Sequence, residues 1–164
     1  YMNDGFAYAA EALTGRFVGA KDGGSLRKSI KYGAVWSLAT ALLCIAIYSG
    51  WWQEILSLFM PEGSTEAGAI LEVAGEYVGW VIAIPLAAAL PFLMDGIMVG
   101  ATQTRILRNS MLISTAAYFA LYYGLHPIVG NNALWLAFTM FMAVRGIAQY
   151  LLSRRLGTVY AKAQ

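Results

Sequence analysis

Long apolar runs separated by short polar stretches give the chain its pattern. Residues 32–53 carry no charge and match the roughly 20 residues a helix needs to cross a bilayer. A second apolar span runs from 77 to 104, a third from 109 to 124 and a fourth from 133 to 152. Ahead of them, residues 1–20 read as a helix rich in Ala and Gly, with Gly15 and Gly19 in a GxxxG arrangement. The expectation is an all-α polytopic membrane bundle of about five transmembrane helices, at 1–20, 32–53, 77–104, 109–124 and 133–152. Between them the pattern predicts a Gly-Gly-broken basic loop at 21–31, an acidic loop at 61–68, a basic turn near 105–109 and a short loop at 125–132. Trp51 and Trp52 close the first long span as an interfacial anchor.

Composition agrees. The chain of 164 residues is 59% apolar and 12% charged, about half the charge of an ordinary soluble domain. Where the charges fall matters more than their sum. Lys21, Arg27, Lys28 and Lys31 sit in the first connection, Arg105 and Arg108 in the third, and Arg154, Arg155 and Lys162 in the tail. The second and fourth connections have no Lys or Arg. This alternation is the positive-inside pattern, and it places the C-terminus and the basic connections in the cytoplasm.

Against that background the charges inside the spans stand out. Asp95 is the only charge between Glu76 and Arg105. An acid at membrane depth is costly and marks a functional candidate. Pro91 lies one turn before it and leaves the Ala87 carbonyl without its helical donor; Pro85 does the same to Val81. The expectation is a kinked, locally open helix beside the acid, with Gly96 and Gly100 as a close-packing face. Asp4, Tyr8 and Glu11 share one face of the first helix. Counting back from Lys21, Arg105 and Arg154 places Glu11, Asp95 and Arg145 about 14–15 Å from the cytoplasmic boundary, near the midplane. Asp4, Glu11 and Asp95 are the candidates for binding a proton or cation. Arg145 is a candidate ion-pair or substrate-lining residue, as is Tyr8. A buried pair of Arg145 with an acid that only fixes packing is the structural alternative.

Other chemistry is absent. Cys44 stands alone in an apolar run, and His126, before Pro127, reads as a surface or cap residue. No Cys/His cluster has metal-ligand spacing. There is no Walker A, GxSxG, HExxH or dinucleotide fingerprint, and no basic-aromatic surface for nucleic acid. An enzyme is not expected, nor a cofactor. Tyr1 already lies within a helical pattern, so a piece of a longer chain is expected.

The segments DGFAYAAEALTGRFVGAKDG (4–23), FLMDGIMVGATQTRILRNSM (92–111) and GNNALWLAFTMFMAVRG (130–146) closely resemble the MATE family of multidrug and toxin extruders, in its DinF-like bacterial branch. The resemblance runs in order along nearly the whole chain. It implies a twelve-helix, two-lobed transporter of the bacterial inner membrane. Residues 1–164 would then be helices eight to twelve, most of the C-terminal lobe. Such transporters export organic cations or amphipathic compounds in exchange for H⁺ or Na⁺. The implied partners are the N-terminal lobe, membrane lipid and a small cationic or amphipathic substrate. Asp95 falls on the tenth-helix acid that binds the coupling cation in the NorM-like branch. That branch's tyrosine one turn earlier is Pro91 here, and its seventh-helix glutamate lies outside the chain. So does the first-helix acid on which the DinF-like branch is held to couple protons. Asp4 and Glu11 match the branch's pattern in helix eight. The competing readings are a flippase for lipid-linked precursors, disfavoured by a single mid-membrane cation, and a non-transporting membrane scaffold.

Overall fold

The computed structural model describes residues 2–60 and 67–156, and within them the chain is helical with short turns and no strand. Five helices follow in order: α1 (Met2–Gly19), α2 (Gly23–Ser57), α3 (Ala67–Gly100), α4 (Thr104–Val129) and α5 (Asn132–Leu156). Four of them, α2 to α5, are long and apolar enough to cross a membrane; α1 is not among them. The chain is a multi-pass helical membrane bundle. The helix α3 is its axis: α1, α2 and α5 pack on it, and α4 packs chiefly on α5.

The connections are shorter than the polar stretches that announce them. The basic residues expected in a loop at 21–31 mostly lie on the first turns of α2, which begins at Gly23. Lys and Arg are good helix formers, and the end of an apolar run marks the edge of the lipid, not the end of the helix. Asp22 caps α2 by accepting the Ser25 N–H at 2.9 Å. Hydrogen bonding to Ser25 holds its carboxyl below the ordinary carboxylate range. Arg105 and Arg108 likewise lie in α4. At the other end, α4 runs through Pro127 to Val129, so the expected loop at 125–132 shrinks to Gly130 and Asn131. Gly130, at φ +59, closes α4 by donating its N–H to the His126 carbonyl at 3.0 Å. His126 is exposed in that last turn. Most of the acidic stretch 61–68 and the tail beyond 156 fall outside the described residues.

Both turns at the basic end have one geometry. Lys21 and Thr102 are the non-glycine residues with positive φ among those described, at 56° and 57°. In the first turn, Asp22 N–H reaches the Phe17 carbonyl and Lys21 N–H the Val18 carbonyl; in the second, Gln103 reaches Met98 and Thr102 reaches Val99. Each is a left-handed cap with the paired hydrogen bonds of a Schellman motif. Each follows the same tripeptide, Val18-Gly19-Ala20 and Val99-Gly100-Ala101. The two helical hairpins α1–α2 and α3–α4 are thus turned by a repeated device. A cluster of Ala10, Leu26, Met94, Ile97, Met98, Ala101 and Ile106 packs near this end.

Apolar burial gives little net drive between helices surrounded by lipid, so close approach and shape decide the packing. At Gly96 an added Cβ would collide with the Ala7 carbonyl, and at Gly100 with the Glu11 carbonyl. Gly19, by contrast, has nothing within 4 Å, and Gly15 only an ordinary contact of 3.5 Å. The close-packing pair is therefore on α3, not α1. On the other flank, Gly33 of α2 meets Leu93, and Ser37 Oγ donates to the Ala89 carbonyl at 3.2 Å.

Through Pro85 and Pro91, where the sequence predicts a kink, α3 continues as one helix of 34 residues. The interior residue with non-helical dihedrals is instead Trp51 of α2, at φ −128 and ψ 24. Proline's missing N–H is tolerated where neighbouring helices support the backbone, and here Pro91 is buried against α5. At the end away from the basic turns, Trp80 Nε1 donates to Asn132 Oδ1 at 3.0 Å, and Tyr77 stacks on Trp135 at 5.9 Å. The start of α5 is thus level with Trp80, while residues 67–79 of α3 continue beyond it.

Candidate functional site

The site is built where α5 comes closest to α3. Gly146 is buried there: an added Cβ would lie 3.1 Å from Pro91 Cδ and 3.2 Å from Leu90. A methyl group at 146 would already be tight, and a larger side chain would press the helices apart. Its absence lets the neighbouring Arg145 reach Asp95, one turn past Pro91 on α3.

Asp95 is held on both oxygens. Its Oδ2 accepts from Arg145 Nη2 in an ion pair, and its Oδ1 accepts from Gln149 Nε2 at 2.6 Å. Arg145 and Gln149 are four residues apart, so one face of α5 supplies both donors. Gln149 is fully buried. The charged pair is not sealed: the Arg145 and Asp95 side chains keep 15% and 20% of their surface exposed. Two polar atoms of the cluster, Arg145 Nε and Gln149 Oε1, are buried without a hydrogen-bond partner. One is a donor and the other an acceptor, so the cluster retains hydrogen-bonding capacity that the carboxylate does not use.

The remaining sequence candidates sit elsewhere. Ala7 faces Gly96 and Glu11 faces Gly100, so α1 and α3 run in the same direction and in step. Glu11 is then level with the last residue of α3, five residues or about 7.5 Å beyond Asp95 towards the basic end. The equal depth expected for Glu11, Asp95 and Arg145 holds for the last two and not for the first. The reason is that α1 and α3 end at different heights, so Lys21 and Arg105 do not mark the same boundary. Asp4 and Glu11 are half-buried on α1, and Tyr8 is 72% exposed. Among the described residues no group of three or more His, Cys, Asp or Glu could hold a metal ion.

Sequence reasoning missed Gln149 and Gly146. A glutamine near the end of an apolar run carries no charge signal. Its spacing of four from Arg145 was the available clue. Gly146 carried no motif of its own, because its partner in close packing is a proline on another helix.

The arrangement is an acid within a membrane helix, partly accessible and neutralised by a cation from a neighbouring helix. Comparison with known proteins adds the lineage. The model of the MatE family matches residues 4–128, most of the chain.

The chain belongs to the MatE family.

The matched segment takes in α1 to nearly the end of α4 and includes Asp95, whereas Arg145 and Gln149 lie beyond it. The MatE chain is also similar to the DNA damage-inducible protein F of Escherichia coli K12, with 37% identity over 155 residues. That alignment covers 94% of this chain and 32% of the relative, so the chain spans about a third of the curated relative it matches. No solved structure matches the chain.

Proposed function

We propose that this chain is part of the C-terminal lobe of an ion-coupled antiporter, which exports organic cations or amphipathic compounds in exchange for H⁺ or Na⁺. Asp95 is the cation-binding acid. The observation that carries the reading is Asp95 itself, half-buried on the central helix and held by Arg145 and Gln149 of α5. Membership of the MatE family and the resemblance of segments 4–23, 92–111 and 130–146 to multidrug extruders support it. The basic residues Lys21, Arg27, Lys28 and Lys31 of one connection and Arg105 and Arg108 of another support a bacterial inner-membrane orientation with this end and the C-terminus in the cytoplasm. A second lobe, outside the chain, completes the cavity. Alternating access follows when the charged and neutralised states of Asp95 favour different arrangements of the lobes.

The test is efflux of a fluorescent organic cation from vesicles holding the full-length parent protein, under a pH gradient and then a Na⁺ gradient. Asp95→Asn at matched expression is expected to abolish coupled efflux while the protein stays folded. Unchanged efflux would refute the role. The ion pair also favours a second reading, in which Asp95 and Arg145 only fix the packing of α3 on α5. The exchange Asp95→Arg with Arg145→Asp separates the two. A structural pair tolerates it, and a cation site does not.

A further inference from the structure

We infer that Arg145 is a tethered competitor for the cation site, an internal cation that any bound cation must displace from Asp95. The inference rests on the proposed cation-binding role of Asp95 and adds to it the residue that sets its affinity.

The argument begins with charge. The cluster holds one carboxylate and one guanidinium, and Gln149 adds none. A cation that bound beside Arg145 would leave a net positive charge at membrane depth, which is costly. Binding therefore requires that Arg145 leave. Geometry permits the exchange. Arg145 holds the carboxylate through Nη2 alone, while its Nε is unpartnered, so the contact is not the two-pronged fork that makes such pairs hardest to open. The pair is also partly exposed, so a ligand has a way in. Once released, the long arginine side chain can lay its apolar stem along α5 and keep its charged head towards the exposed side of the cluster. Gln149 stays fully buried, with an idle Oε1 that suits a ligand able to donate a hydrogen bond as well as carry charge. The ligand class is thus an organic cation with N–H groups.

A tether makes the competition strong. A group fixed nearby competes at an effective concentration of about millimolar or more, whatever the solution contains. Arg145 would hold the empty site neutral and keep weakly bound cations out.

The experiment uses the full-length parent in detergent and reads ethidium binding by fluorescence. Arg145→Gln is expected to tighten binding at least about tenfold, equivalent to about 1.4 kcal/mol. Arg145→Lys, which keeps the charge, is expected to stay near the wild type, and Asp95→Asn to lose binding. Because Arg145→Gln leaves an acid without its partner and threatens folding, a second measurement needs no substitution. Saturating ethidium is expected to raise phenylglyoxal modification of Arg145 in the wild-type protein severalfold, read by mass spectrometry of its peptide. Ethidium binding that persists in Asp95→Asn overturns the proposed cation site and the inference with it. Binding lost in Asp95→Asn, with no tightening in a folded Arg145→Gln protein or no rise in Arg145 modification, overturns the inference alone.

Discussion

Gly96→Ala tests whether backbone contact between α1 and α3 holds the bundle together. The substitution adds one methyl group, which would strike the Ala7 carbonyl oxygen and lie 2.8 Å from the Ala7 carbonyl carbon and 3.0 Å from its Cα. All three are backbone atoms, so no side chain can rotate away. Relief requires that α1 retreat as a unit, and with it the neighbouring contact of Gly100 with Glu11 and Thr14. Overpacking of this kind costs about 1–3 kcal/mol, and here the upper end is expected because the obstacle is main chain. Against that, replacing a helical glycine by alanine gains about 1 kcal/mol of propensity. The control isolates the two effects. Gly19 also lies in α1 and has nothing within 4 Å, so Gly19→Ala receives the propensity gain alone. The assay is thermal unfolding of the full-length parent in detergent, followed by tryptophan fluorescence. Gly96→Ala is expected to melt several degrees lower than the wild type, and Gly19→Ala at or slightly above it. Equal melting of the two variants would refute the claim that α1 and α3 touch through Gly96.

Two more outcomes follow from the same geometry. Thr102→Gly is expected to stabilise by about 0.5–1 kcal/mol, since a β-branched residue at φ 57 is strained and glycine is not; denaturant unfolding in mixed micelles checks it. Gly146→Val is expected to push α5 off Pro91 and Leu90 and so part Arg145 from Asp95; ethidium binding should then tighten as in Arg145→Gln, and binding at the wild-type affinity would count against the site.

The bundle was legible in the sequence because lipid imposes a strong constraint. Apolar runs such as 32–53 and 133–152 have few alternatives to a membrane helix. The ends of the helices were not legible, because charged helix formers such as Arg27, Lys28 and Arg108 continue a helix past the lipid edge. Asp95 announced itself by its isolation, and Arg145 by its depth. Their pairing did not follow from either, since Glu11 appeared at the same depth until the parallel register of α1 and α3 placed it a turn further on. Gln149 required knowledge of which face of α5 meets α3. The double occurrence of Val-Gly-Ala, at 18–20 and 99–101, was in plain view. It acquired meaning only when both copies proved to precede the same left-handed turn.

The unequal heights of the helices give this bundle a handle for imaging. Trp80 marks the level at which α5 begins, and thirteen residues of α3, 67–79, continue past it, about 20 Å of helix. The end of α2 rises with them, since a Cβ added at Gly75 would lie 3.4 Å from the Trp52 ring, and Tyr48, Trp52 and Phe59 share a groove with Ala74 and Val78. Among the described residues, two packed helices thus form a spike above the level at which α5 begins. An antibody fragment raised against that spike would grip the protein away from Asp95. It would give electron microscopy images of a small membrane protein a landmark for alignment.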